Sequence, residues 1–128
     1  MSWSDQIFRY CERGVEPSFW AEPLNAATNA AFLLAGFAAL VEIARKPSGE
    51  RTIAWILLAL MVRVIGTVSF LFHTYATRWA AIADTGPIGL FMLAYLAYAL
   101  RVLLRLPWLA TAAGVVLFVV ALMIAGDI

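Results

Sequence analysis

Four apolar stretches of membrane-spanning length, separated by short polar breaks, account for most of the 128 residues. The first runs from about Leu24 to Ile43, between Pro23 and Arg45-Lys46-Pro47. The second runs from Thr52 to about Thr74, after the break at Pro47-Ser48-Gly49. The third runs from Thr85 to about Leu104 and ends at Arg105-Leu106-Pro107, and the fourth runs from Trp108 to Ala125. A helix needs about 20 apolar residues to cross the hydrocarbon core. The pattern therefore predicts an all-α integral membrane protein with four transmembrane helices in a single membrane domain, preceded by a polar amino-terminal segment, 1–22. Short connections make consecutive helices antiparallel neighbours. Ala31, Ala35 and Ala39 recur every four residues and predict a close helix contact. Trp3, Trp20, Trp55, Trp79 and Trp108 all fall near span ends, where aromatic rings anchor at the membrane interface.

Composition strengthens this picture. Hydrophobic residues make up 64% and charged residues 13%, against about half and about a quarter in soluble domains, and the mean hydropathy is +0.89. The net charge of +1, without a basic tract, gives no case for a nucleic-acid partner. The single Cys11 cannot form an internal disulfide. Residues 1–18 are polar and lack the apolar centre of a secretory signal. Arg45, Lys46, Arg51, Arg101 and Arg105 lie on one side of the predicted spans, and Arg9, Arg13 and Arg78 on the other. That bias predicts an amino terminus outside and loops one and three in the cytoplasm. The alanine- and arginine-rich, short-looped style suggests a bacterial inner membrane.

This topology brings Glu12, Glu22, Asn25, Ser69, His73 and Asp84 to one membrane face. Ser69 and His73 are four residues apart and share one side of a helix, and Asp84 follows a short loop. A hydroxyl, an imidazole and a carboxylate at a span's edge suit a zinc hydrolase, in which the metal lowers the pKa of its water to about 7. The carboxylate would shuttle the proton and the hydroxyl would steady an oxyanion. Plainer readings stand beside this one. Asp84 before Thr85-Gly86-Pro87 could be an N-cap, Ser69 could bond the Ile65 carbonyl, and His73 could be an interfacial residue. His73 is the only histidine, and one histidine cannot complete a metal site. Arg63, near the middle of the second span, is costly there. It could pair with a group on missing helices, line a cavity that receives a lipid headgroup, or be satisfied by carbonyls and water. Tyr95 and Tyr98 read as packing residues of the third span.

The run Gly66-Thr67-Val68-Ser69-Phe70-Leu71-Phe72-His73, followed by Asp84 and Pro87, resembles the second-to-third-span signature of the alkaline ceramidases, members of the CREST superfamily of membrane hydrolases. Tyr10-Cys11-Glu12 and Ala21-Glu22-Pro23-Leu24-Asn25, with Thr28-Asn29 beyond, resemble that family's opening motif. The resemblance covers about the first ninety residues. It implies that the four spans are the first part of a seven-helix bundle. It also implies hydrolysis of a membrane lipid amide such as ceramide, giving a sphingoid base and a fatty acid. By position it makes His73 a zinc ligand, Ser69 an oxyanion stabiliser or a residue of the outer shell around the metal, and Asp84 the proton-transfer carboxylate. The family's other two zinc histidines form an HxxxH pair in its last span, so the remaining ligands are expected from missing carboxy-terminal helices or a second subunit. In animal members, positions matching Glu12, Glu22 and the Tyr10 carbonyl hold calcium. Here Arg9 and Gly14 replace an aspartate and an asparagine of that motif, and a salt bridge among Arg9, Arg13, Glu12 and Glu22 that holds the amino-terminal segment against the bundle is the competing expectation. A non-catalytic receptor-like or assembly protein with the same helices is the alternative function.

Overall fold

A computed structural model describes residues 2–8 and 10–126. Its elements are α1 (Pro23–Thr28), α2 (Ala30–Arg45), a 3-10 turn at Ser48–Glu50, α3 (Ile53–Tyr75), α4 (Arg78–Tyr98), a π-helical turn at Ala99–Leu103 and α5 (Trp108–Gly126). Among the described residues, four helical stretches are long and apolar enough to cross a membrane: Pro23–Arg45, Ile53–Tyr75, Arg78–Leu103 and Trp108–Ala125. The protein is an all-α membrane protein. At a rise of 1.5 Å per residue, the 23 residues of α3 extend about 34 Å, enough for a hydrocarbon core of about 30 Å.

The chain divides into two compact units, Met1–Gly89 and Leu90–Ile128. In the first, α1 and α2 pack on α3. The first span is broken at Asn29, where local side chains compete with the helical ladder. Thr28 Oγ1 and Asn29 Nδ2 both donate to the Asn25 carbonyl, at 3.0 and 2.9 Å. Contact between α2 and α3 runs through two glycines rather than through the alanine repeat. Gly36 lies against Arg63 and Ala59, and Gly66 lies against Phe32 and Asn29. Ala31 and Ala35 are exposed, because the seven-residue row Asn29, Gly36 and Ile43 turns inward instead.

The amino-terminal segment lies across the α3–α4 turn. Gln6 and Thr77 form an antiparallel bridge, the Ile7 N–H donates to the Ala76 carbonyl at 2.7 Å, and the Arg78 and Trp79 N–H groups donate to the Asp5 and Trp3 carbonyls. The first N–H groups of a helix have no partner within it. These borrowed carbonyls let α4 begin at Arg78, seven residues before the expected Thr85. Asp84 is therefore inside the helix, which overturns the N-cap reading. Pro87 is also internal and takes one hydrogen bond from the ladder.

In the second unit, α5 packs on the π turn, and the Arg101 guanidinium lies 5.0 Å from the Trp108 ring. Trp3, Trp20, Trp79 and Trp108 are exposed at helix ends or in the amino-terminal segment, and Lys46 sits over the Trp55 ring. Tyr95 stacks on Phe91 and is half exposed.

Candidate functional site

The most organised polar cluster lies where the amino-terminal segment meets the end of α3, and Arg13 is its centre. Its side chain is fully enclosed. A guanidinium has five N–H donors, and Arg13 makes five hydrogen bonds. Nε donates to Glu22 Oε1 at 2.7 Å. One terminal nitrogen donates to the Glu16 and Ser18 carbonyls, and the other to those of His73 and Thr74 at 2.8 and 3.2 Å. The last two are carbonyls at the α3 carboxy end, where helical partners run out and a cation is favoured. Glycine is required nearby, since Gly14 has φ +56°, a conformation that costs little without a Cβ.

Glu22 connects this arginine to His73. Its Oε2 lies 2.6 Å from His73 Nδ1 and also accepts from Asn25 Nδ2 at 3.2 Å. Burial alone pushes the Glu22 carboxyl up, but hydrogen bonds from Arg13, His73 and Asn25 outweigh it and hold the pKa below its ordinary value. An ionised carboxylate can only accept, so Nδ1 carries the proton; in the neutral imidazole the lone pair is then on Nε2. The Tyr10 ring meets the His73 ring edge-on at 4.9 Å, and Phe72 flanks both. Phe19 and Trp20 cover Phe70 on the preceding turn.

The depressed Glu22 pKa has a pH signature. In the acid range the unfolded chain binds more protons than the folded one, so the contribution is complete above the ordinary value of 4.5 and fades as the pH falls through the folded value. The thermal midpoint in detergent should fall on acidification below that ordinary value, and less so in Glu22→Gln, which has no carboxyl to titrate.

Of the residues expected to share a site, the structure joins Tyr10, Glu22, Asn25 and His73 directly. Ser69 and Asp84 are buried, but no hydrogen bond among the described residues joins either to His73. Asp84 Oδ1 is buried without a hydrogen-bond partner among the described residues, as is Oγ1 of Thr77, the residue just before α4. Ser69 does not bond to the Ile65 carbonyl; Thr67 and Thr74 make such bonds, to Arg63 and Phe70. Arg63 packs its stem over Gly36, and its guanidinium has no hydrogen bond or ion pair among the described residues. Of the expected salt bridge, the Arg13–Glu22 pair forms. Glu12 instead accepts from the Leu24 and Asn25 N–H groups at the start of α1, and Arg9 lies outside the described residues. The sequence reading missed the His73–Glu22 contact, whose one signal was the placement of both residues on one membrane face.

The oxygens expected to hold calcium are all engaged within the protein. Glu12 is committed to backbone N–H groups, the Tyr10 carbonyl accepts from Gly14, and a guanidinium already occupies Glu22. Zinc finds one oriented imidazole. Among the described residues no group of three or more His, Cys, Asp or Glu gathers to hold a metal, while catalytic zinc usually takes three protein ligands. These residues alone do not make a zinc site. Compared with protein-family models, curated proteins and solved structures, the chain matches none.

Proposed function

We propose that the chain is the His73-bearing part of a zinc-dependent lipid amide hydrolase resembling the alkaline ceramidases, cleaving ceramide to a sphingoid base and a fatty acid. The observation that carries the reading is the 2.6 Å contact between Glu22 and His73 Nδ1. Histidines that ligate a metal commonly donate their other ring nitrogen to a carboxylate, which fixes tautomer and orientation. Glu22 does this from a buried position, and Nε2 has no hydrogen bond among the described residues. Asp84, buried with a free oxygen, suits proton transfer to the leaving amine, and the Ser69 hydroxyl suits donation to the developing oxyanion. The remaining ligands come from helices or a subunit other than those described. In this reading the amino terminus is outside, in a bacterial inner membrane.

The saturated Arg13 favours a second reading. A network that is complete without a ligand serves equally well to clamp the amino-terminal segment of a non-catalytic receptor-like or assembly protein. Metal analysis and N-acyl sphingosine hydrolysis on the purified protein with its completing helices or subunit separate the two. The expected result is bound zinc and hydrolysis in the native protein, and loss of both in His73→Ala. Asp84→Asn should keep zinc and lose roughly 10²–10⁴-fold in rate. Full zinc occupancy in His73→Ala would sink the ligand assignment. A native protein with neither zinc nor hydrolysis would favour the clamp.

A further inference from the structure

A separate site lies where α4 begins. Ser2, Trp3, Arg78 and Ile82 line an open cavity of about 250 Å³. The Arg78 guanidinium makes no hydrogen bond or ion pair among the described residues. Its backbone N–H is taken by the Asp5 carbonyl, and that of Trp79 by the Trp3 carbonyl. What the cavity offers an anion is therefore the side chain, not the helix end. Asp5 is the nearby acidic group, and its carboxylate accepts from the Ser2 N–H at 2.6 Å.

Two polar and two apolar residues line the cavity, Ser2 and Arg78 with Trp3 and Ile82. Ile82 is one helical turn into the span from Arg78 and is 57% exposed, and Trp3 is 68% exposed. Trp79 and Tyr75, flanking the same turn, are exposed as well. Aromatic residues of this kind mark the level of the lipid headgroups, and α4 descends from here as a membrane-length helix. A guanidinium unpaired among the described residues, and a hydroxyl shared with Ser4, lie at headgroup depth beside an indole ring and an aliphatic side chain, and together they match one ligand chemistry. A phosphodiester takes the guanidinium in charge-assisted hydrogen bonds, while the attached glycerol and first acyl carbons lie on Trp3 and Ile82.

We infer that Ser2, Trp3, Arg78 and Ile82 bind the phosphodiester headgroup of a membrane phospholipid. Arg78 holds the phosphate, and the bound lipid braces the amino-terminal segment against the start of α4. This site does not depend on the hydrolase reading, since it uses none of the residues in the His73 cluster.

The test is native mass spectrometry of the delipidated protein in neutral detergent, titrated with phosphatidylglycerol, diacylglycerol or inorganic phosphate. Phosphatidylglycerol should bind and raise the thermal midpoint, and the other two should do neither. Arg78→Gln should weaken lipid binding about tenfold or more, the scale of a lost charge-assisted pair. Trp3→Ala should weaken it less, and Arg105→Gln, which removes an arginine outside the cavity, should leave it unchanged. Equal binding of phosphatidylglycerol by Arg78→Gln and the native protein would overturn the site. So would an equal loss in Arg105→Gln, which would mean that any arginine serves. Binding of diacylglycerol as tight as that of phosphatidylglycerol would overturn the role of the phosphate.

Discussion

Arg13→Met should be the most destabilising single substitution in the amino-terminal segment, by about 3–5 kcal/mol, the usual cost of removing one partner from a buried ion pair. The size follows from what is left behind. Glu22 would keep a buried carboxylate facing an apolar side chain, and the His73 and Thr74 carbonyls at the end of α3 would lose their donor. The Glu16 and Ser18 carbonyls are nearer the surface and can turn to water, so they add little. Glu22→Gln should cost less, because Arg13 keeps four carbonyl acceptors and an amide oxygen can replace the carboxylate. The double variant Arg13→Met/Glu22→Gln should be more stable than Arg13→Met alone, since no buried charge is then unpaired. Equilibrium unfolding in mixed micelles measures all three. A loss under about 1 kcal/mol in Arg13→Met would show that the segment is not held by this pair.

The second large effect is expected at Gly36. A Cβ there would lie 2.5 Å from Arg63 Cγ, 2.9 Å from the Ala59 carbonyl oxygen and 3.3 Å from the Arg63 nitrogen. The arginine stem can move, but the other two atoms belong to the backbone of α3, so any side chain forces α2 and α3 apart. Overpacking of this kind costs about 1–3 kcal/mol. In a membrane, where helix association relies on close packing rather than on hydrophobic burial, Gly36→Leu should reach the top of that range and Gly36→Ala the bottom. Gly49, with open space around its Cβ position, is the control, and Gly49→Ala should leave the thermal midpoint unchanged. A Gly36→Leu midpoint equal to the native one would mean that the contact is not a close one.

Two local patterns in the chain point away from the structure that forms. Asp84 before Gly86-Pro87 has the chemistry of a helix start, yet α4 begins at Arg78. Its cap comes from carbonyls of Trp3 and Asp5, more than seventy residues earlier in the chain, and no local pattern announces such a donor–acceptor match. The alanine repeat at Ala31, Ala35 and Ala39 has the spacing of a close helix contact, but spacing does not say which row faces the neighbour. The row containing Gly36 wins because only glycine lets the α3 backbone and the Arg63 stem approach.

Membrane character and the approximate number and extent of the spans were determined by the sequence alone, because a bilayer demands a continuous apolar stretch and the chain has four. The gathering of polar groups at one end followed from the same counting. Only the tertiary structure decided which of those groups touch. Arg13, Glu22 and His73 are separated by 9 and 51 residues, and whether a buried carboxylate meets a metal, a guanidinium or an imidazole depends on where the chain crosses itself. Placed beside Arg13, Glu22 stays ionised and orients the one histidine of the chain.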